Sequence, residues 1–510
     1  MAEGKTTGAN QKSGVCYNSV AMPLDEVPGL SPDELRQTAV ALCKDGARIV
    51  AFFALPRSTD GGHDLFLVLA EDAASRLRLF RTQLGSGEPL SSLSVEFPQA
   101  QRFEREIHEQ HGIAIPGHPW LKPLRRHAGI PRQSGGVTPG PGYPFFQMSG
   151  AGVHEVAVGP VHAGIIEPGH FRFQCHGERV FSLEIHLGYQ HRGAEALLMR
   201  SSPARQLVIA ESIAGDTAMG HSLAHCMVRE ALAGAAPPLA ADALRGIALE
   251  LERLANHIGD LGAMCGDVAY LPGASYFGRL RGNFLNLLMR LSGNRFGRVL
   301  MSVGGVRFGL DHTTRDDFLG RLAKDAADFE RVADMTFNTS SVLSRFEHTG
   351  VVTEDEARDL GLVGPVGRAC GLTRDSRQDH PVGIFRFAHI PTAVAKTGDV
   401  TARALVRRLE AQRSITFVQD QLRKLPDGPL TTNVDRAAPK QIVVALVEGW
   451  RGEIAHVGMT DDRGQLRGYK IVDPSFHNWF GLSMALRDNE ISDFPICNKS
   501  FNLSYAGHDL

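Results

Sequence analysis

Cysteine is scarce in this chain and never closely paired. The seven residues are Cys16, Cys43, Cys175, Cys226, Cys265, Cys370 and Cys497, and no two form a C-x-x-C. That spacing argues against a disulfide framework and against a self-contained thiolate zinc or iron–sulfur motif. It fits a reducing, cytoplasmic compartment. Long apolar runs are missing as well, so the sequence offers no helix able to cross a bilayer. The opening stretch MAEGKTTGANQKSG is small and polar, without the apolar core of a signal peptide. A mobile tail is expected over residues 1–29. Nor does one sign of charge dominate. With 54 basic and 56 acidic residues the net charge is −2, which provides no global field for nucleic acid or an anionic membrane. No internal repeat of fixed period is evident.

What is present is ordinary globular material in quantity. A chain of 510 residues, 43% hydrophobic and 22% charged, predicts two or more domains with ample core. Chemistry concentrates between Gly159 and His225. The run GPVHAGIIEPGHFRF has a Gly-Pro start, a Pro168-Gly169 break and an alternating end, which reads as strand, turn, strand. LEIHLGYQHRGAEALL packs Glu184, His186, Tyr189, His191, Arg192 and Glu195 into a short span, a density of polar groups that an ordinary core segment avoids. ESIAGDTAMGHSLAH places the small residues Ala214, Gly215 and Thr217 between Glu211 and His221.

As a set, G-P-x-H…E-P-G-H-F-R, G-x-x-H-R-G-x-E and E-x-x-x-G-x-x-x-x-x-H-S resemble the large subunit shared by membrane-bound nickel–iron hydrogenases of the formate-hydrogenlyase and hydrogenase-4 type and by respiratory complex I. The segment QRFEREIHEQHGIAIPGHPW resembles the small peripheral-arm subunit of complex I, fused ahead of the large one. The resemblance covers residues 30 to 510. It implies an α+β fold in three parts. A small α/β domain like that peripheral-arm subunit spans 30–127, and a Gly/Pro-rich linker spans 128–152. Over 153–510 follows a mainly helical bundle with an N-terminal β-hairpin and a small C-terminal sheet, like the large subunit of complex I and the hydrogenases.

The hydrogenases of that family bind nickel and iron through two C-x-x-C pairs. Here the matching positions hold Ala214 and Thr217, then Ser504 and Gly507. Soft, deprotonated sulfur is what such metals require, and Ala and Gly offer no ligand atom at all. Complex I also lacks the cysteines and receives a quinone headgroup in the vacated cavity, between a His of the first hairpin turn and a Tyr. This sequence departs there too, with Pro168 at the His position and Glu211 at the Tyr position. The resemblance therefore implies a redox subunit without nickel. It would pass electrons from an iron–sulfur cluster in a neighbouring small subunit, faced by His191 and Arg192, towards a quinone-like acceptor.

Within that picture His162, Glu167, Glu211, His221 and Asp267 are the candidate catalytic groups, as proton carriers or as the polar end of a quinone cavity. The chain itself is expected to bind no metal and no cofactor alone, quinone excepted. Partners implied are the iron–sulfur subunit, other peripheral-arm subunits and integral antiporter-like membrane subunits. The location implied is the cytoplasmic face of the inner membrane, in an NADH-quinone-oxidoreductase-like assembly with NAD binding and ion translocation. A scaffold that couples the two arms through a vestigial cavity is the alternative. An active nickel–iron hydrogenase is argued down by the missing sulfur. A cavity filled by Phe501 or Tyr505 would favour the scaffold.

Plainer expectations complete the reading. Ser31 with Glu34 forms a capping box. The segments 47–57 and 63–72 form a hairpin, and 91–100 a further strand. Glu104, Glu106 and His108 read as a solvated helix face. Tyr143, Phe145 and Phe146 pin the linker to a neighbouring surface. Glu211 reads either as a proton carrier or as a carboxylate at a helix N-terminus. Arg192 either faces the cluster or pairs with Glu184 or Glu195. Asp267 needs a buried partner, and Arg368 and Arg374 form structural ion pairs. Long amphipathic stripes predict helices around 244–258, 272–293, 316–337 and 401–422.

Overall fold

The computed structural model describes residues 13–57, 60–125, 142–164 and 166–510. The first part of the expected tail and the linker up to residue 141 lie outside the described residues. Pairing begins before residue 30, so the expected tail is too long. Short strands β1 (Val15–Cys16), β2 (Met22–Pro23) and β3 (Gly29–Leu30) are already built into sheets. Helix α1 (Pro32–Lys44) starts with the expected capping box, Ser31 and Glu34 each satisfying the other's backbone N–H. Strands β4 (Arg48–Pro56), β5 (His63–Glu71) and β6 (Arg76–Leu84) complete a five-stranded sheet in which β1, β6, β5 and β4 are neighbours and β3 joins β6. The sequence reading missed β6, whose alternation breaks at Phe80 and Arg81. It also placed a strand at 91–100, where the chain instead makes turns and a short 3-10 helix, Pro98–Ala100.

Helix α2 (Gln101–His111) overturns the expectation of a solvated face. Glu104 and Glu106 are buried, and only His108 is exposed. Glu104 accepts from the Ser92 and Ser94 hydroxyls, at 2.6 and 2.5 Å. Glu106 pairs with Arg125 and with Lys470 at 2.7 Å. A solvated reading failed because the partners lie up to 364 residues away.

The second region opens with the antiparallel strands β7 (Val153–Val158), β8 (His170–His176) and β9 (Arg179–His186). The aromatic residues before β7 do pin it. Tyr143 stacks on His186 with centroids 4.0 Å apart, and Phe145 lies 5.0 Å from His170. Helices α3 (Ala194–Arg200), α4 (Pro203–Ala210) and α5 (Ala218–Ala233) lead into the bundle of α6 (Leu239–Asp267), α7 (Leu271–Ser292) and α8 (His312–Phe337). A two-stranded hairpin, β10 (Met301–Ser302) and β11 (Gly305–Val306), sits between α7 and α8. Short helices follow, then α9 (Val400–Arg423).

The closing sheet is β12 (Gln441–Gly449), β13 (Gly452–Thr460) and β14 (Leu466–Val472), with β2 added at the free edge of β12. It is central rather than peripheral. Strand side chains alternate between faces. Val443, Ala445 and Val447 enter the core of the helical bundle, while Ile442, Val444 and Leu446 enter the core of the N-terminal domain. The chain ends with α10 (Pro474–Ala485), α11 (Phe494–Phe501) and α12 (Tyr505–His508), folded back into the bundle.

A buried charged contact joins the two halves through this sheet. Arg48 on β4 grips Glu453 on β13 with two bonds of 2.6 Å and also donates to Asp72 at 2.8 Å. Arg48 and Glu453 are 3% and 4% exposed, so neither can fall back on water. Arg48→Met leaves Glu453 buried without its main counter-charge, and this class of change costs about 3–5 kcal/mol. Urea unfolding of the purified chain will show a lower midpoint, and Arg48→Met/Glu453→Met will recover part of the loss.

Candidate functional site

The polypeptide between α4 and α5 carries the first pair of positions at which the family's hydrogenases place sulfur. Ala214 and Thr217 are both buried. The Thr217 hydroxyl accepts from Trp450 Nε1 and Arg451 Nη1, each at 3.1 Å, and donates to Asp216 at 3.1 Å. Arg451 makes two further bonds to Asp216, at 2.6 and 2.8 Å, and its guanidinium lies 3.9 Å from the Trp450 ring centre. Its Nε donates to the Asn502 carbonyl at 2.5 Å, which ties the C-terminal tail to this turn. Burial pushes the Asp216 carboxyl up, but Arg451 outweighs it and leaves Asp216 below its ordinary value. At the start of α5, Glu252 of α6 accepts the Met219 and Gly220 N–H groups at 2.7 and 3.2 Å.

The second pair of positions, Ser504 and Gly507, brackets the first turn of α12. Ser504 caps that helix by accepting the Gly507 N–H at 2.8 Å, and its own N–H goes to the Ser475 hydroxyl at 2.8 Å. Gly507 has no room for a side chain, since a Cβ there would lie 2.5 Å from Asp473 Cγ. Asp473 is itself fixed. It accepts from Ser475 N at 2.8 Å and from His221 Nε2 at 2.9 Å. Burial pushes its carboxyl up, while the His221 bond and Arg451 hold it below its usual value.

A sulfur-held nickel–iron pair does not fit these residues. Two positions carry no ligand atom, both hydroxyls are used in hydrogen bonds, and Asp473 stands where a Cβ would begin. Among the described residues no group of three or more His, Cys, Asp or Glu side chains is arranged to hold a metal ion. What the arrangement can do is bind, orient and move protons. It has a carboxylate–guanidinium pair, Asp216 with Arg451, and a buried carboxylate–imidazole pair, Asp473 with His221.

The structure gathers some of the sequence candidates and scatters others. His221 is fully buried at the centre, on Asp473. The Glu167 carboxyl lies by the Tyr505 and Ala506 backbone, in the field of Arg451 and Asp216, and desolvation pushes it up. His162 stays within its own turn, half-buried, with Nε2 2.8 Å from the Gly169 carbonyl. Glu211 is elsewhere. It sits at the C-terminal end of α4, not at a helix N-terminus, and accepts the Val299 N–H at 2.7 Å. Burial raises its pKa. Asp267 lacks the buried setting expected of it, because it is the exposed last residue of α6. His191 and Arg192 are exposed on one edge. Arg192 pairs with neither expected acid and donates to the Ser212 and Ile213 carbonyls, at 2.9 and 2.8 Å, just before Ala214. Arg368 is the expected structural ion-pair residue, bound to Glu410 and Glu448 at 2.8 Å each.

Sequence reasoning missed Asp216, Trp450, Arg451 and Asp473. Each has a local signal. Trp450 and Arg451 interrupt an apolar strand pair at its turn, in EGWRGE, where loops carry function more often than packing. Asp473 precedes Pro474, a helix-start signature. None of these signals says that they meet.

Known proteins repeat both halves of the chain. Residues 30–135 match the model for the respiratory-chain NADH dehydrogenase 30 Kd subunit, and residues 267–441 match that for its 49 Kd subunit. The carbon monoxide-induced hydrogenase of Rhodospirillum rubrum is 30% identical over 350 residues, 68% of this chain and 97% of that protein. The chain belongs to this family of complex I and hydrogenase large subunits. Within the family it is similar along most of its length to formate hydrogenlyase subunit 5 of Escherichia coli, 28% identical over 474 residues, covering 89% of this chain and 83% of that one. The D subunit of NADH-quinone oxidoreductase from Clostridium beijerinckii is 30% identical over 311 residues, 60% of this chain and 83% of that one. The fused 30 Kd and 49 Kd halves expected from sequence are thus family features of this chain.

Two substitutions probe the site. Burial pushes Glu252 up from 4.5 to about 8, against the Met219 and Gly220 N–H groups that favour its charged form. An acid whose pKa is higher folded than unfolded binds more protons in the folded state. Its contribution is therefore full below about 4.5 and is lost as pH rises towards about 8. Glu252→Gln will flatten the fall in melting temperature across that window. Gly507→Ala forces Asp473 off His221, and overpacking of this kind costs about 1–3 kcal/mol. Thermal melts of the purified variant will show the loss.

Proposed function

We propose that this chain is the peripheral-arm subunit of a complex-I-like or hydrogenase-4-like membrane oxidoreductase and works without a nickel–iron centre. The observation that carries the reading is Asp473 filling the Cβ position of Gly507 while bonded to His221. The former ligand positions are joined to one another and to their neighbours by hydrogen bonds, so the site handles protons in place of metals. An iron–sulfur cluster in a neighbouring subunit lies against the exposed His191 and Arg192 edge, and ion translocation takes place in integral membrane subunits. This chain is peripheral to the membrane. In support, no helix among the described residues is long and apolar enough to cross one.

Its part in that assembly is coupling between the redox and membrane arms. Tyr505 is buried against the first hairpin, and Phe501 is buried beside Arg403 of α9. The Tyr505 ring would stand 2.6 Å from a Cβ at Gly169 and packs edge-on to Trp479 at 4.8 Å. Reduction of a quinone-like acceptor at this site is the second reading. It is favoured by the exposure of Val161 and Glu167 on the turn that also carries His162.

Metal analysis of the purified intact complex will find nickel well below one per complex, and stoichiometric nickel overturns the reading. A photoreactive quinone analogue separates the two roles. Labelling within 159–169 selects acceptor reduction here, and labelling confined to other subunits selects coupling.

A further inference from the structure

Behind His221 runs a chain of side chains that neither reading uses. His221 Nδ1 is 3.1 Å from His456 Nε2. His456 Nδ1 is 2.9 Å from the Tyr469 hydroxyl, and that hydroxyl is 3.0 Å from His225 Nδ1. The three imidazoles are fully buried and Tyr469 is 4% exposed. His225 Nε2 is buried with no hydrogen-bond partner among the described residues. The four side chains come from three elements, His221 and His225 on α5, His456 on β13 and Tyr469 on β14. They form one unbroken line from Asp473 to that bare nitrogen.

We infer that Asp473, His221, His456, Tyr469 and His225 form a proton relay that delivers to the vacated metal site. The direction follows from donor and acceptor counting. Ionised Asp473 only accepts, so His221 Nε2 carries a proton and donates. With His221 neutral, its Nδ1 accepts from His456 Nε2–H. His456 Nδ1 then accepts the Tyr469 O–H, and the tyrosine oxygen accepts His225 Nδ1–H. Every donor points towards Asp473, which leaves His225 Nε2 as a free lone pair.

A proton added at that lone pair balances simply. His225 gains a proton on Nε2 and passes its Nδ1 proton to the tyrosine oxygen. Tyr469 passes its own proton to His456 Nδ1. His456 gives its Nε2 proton to His221 Nδ1, and the surplus proton ends on the His221–Asp473 pair. The three hydrogen bonds outside that pair reverse, one charge moves and no electron is transferred. Burial keeps His225 and His456 from holding the charge themselves, depressing the first to about 3 and the second well below its usual value. Arg229, one turn along α5 and only partly buried, adds its charge to the depression of His225 and flanks the entry end.

The inference deepens the reading of a proton-handling site, but its test does not depend on nickel content. Stoichiometric nickel would overturn that reading and leave the ring tautomers where they are. In the intact complex, with histidine labelled by nitrogen-15, His225 is expected as the Nδ1–H tautomer, and His456 and His221 as Nε2–H. Resonances are assigned by their loss in His225→Gln and His456→Gln. Tyr469→Phe keeps the ring and removes the hydroxyl. It should return His225 to the Nε2–H form and slow the exchange of the His221 and His456 ring protons with deuterated solvent. His225→Gln cuts the line at its outer end and should slow the same exchange. Finding His225 protonated on Nε2 in the unmodified complex overturns the relay. So does unchanged exchange in both variants.

Discussion

Burying charge within one central sheet is the constraint from which most of this architecture follows. Strands β12 to β14 lie between two apolar cores, yet they carry Glu448, Glu453, His456 and Lys470 in buried positions. A charge removed from water on that scale is tolerated only with a partner and with its remaining hydrogen bonds filled. Glu448 and Glu453 are cross-strand neighbours on one face, and that face recruits its partners from both domains. Arg48 reaches in from the N-terminal sheet to Glu453, and Arg368 reaches from the bundle to Glu448. Ser376 serves both acids, with its N–H 3.1 Å from Glu448 and its hydroxyl 2.6 Å from Glu453. The pairs hold the two halves in one register, and that register places Arg451, at the turn between β12 and β13, over Asp216.

The region that would have held metals shows the same economy with smaller groups. In a hydrogenase of this family, sulfur and metal bridge the α4–α5 turn and the tail. Here Arg451 makes that bridge, bound to Asp216 and Thr217 on one side and to Asn502 on the other. Asn502 continues to Asp260, and Asp260 to Arg407, at 2.6 and 2.7 Å. In this chain a hydrogen-bonded guanidinium crosslinks those two segments.

How far the sequence carried the reading depended on the range of each interaction. The four long helices were legible because their stripes and caps are local, as Gly293 closing α7 shows. The capping box at Ser31 was legible for the same reason. Strand β6 was hidden by the break in its alternation at Phe80 and Arg81, and the burial of Glu106 by a lysine at position 470. The site divided along the same line. His221 and the lost sulfur positions could be found by motif. Asp216, Arg451 and Asp473 could not, since strand pairing and helix packing alone bring them together. Glu211 and Asp267 were misplaced because matching a motif position fixes a place along the chain and says nothing about what the side chain meets.

The N-terminal domain does not own its core. Ile442, Val444, Leu446, Val457 and Phe476 are part of it, and β2 finds its pairing partner only at β12. A ribosome delivers these residues long after strands β4 to β6. The first domain must therefore wait, with an apolar flank open, until β12 and β13 have emerged. Joining the two halves in one molecule shortens that wait from a search between separate proteins to the closing of a loop within one.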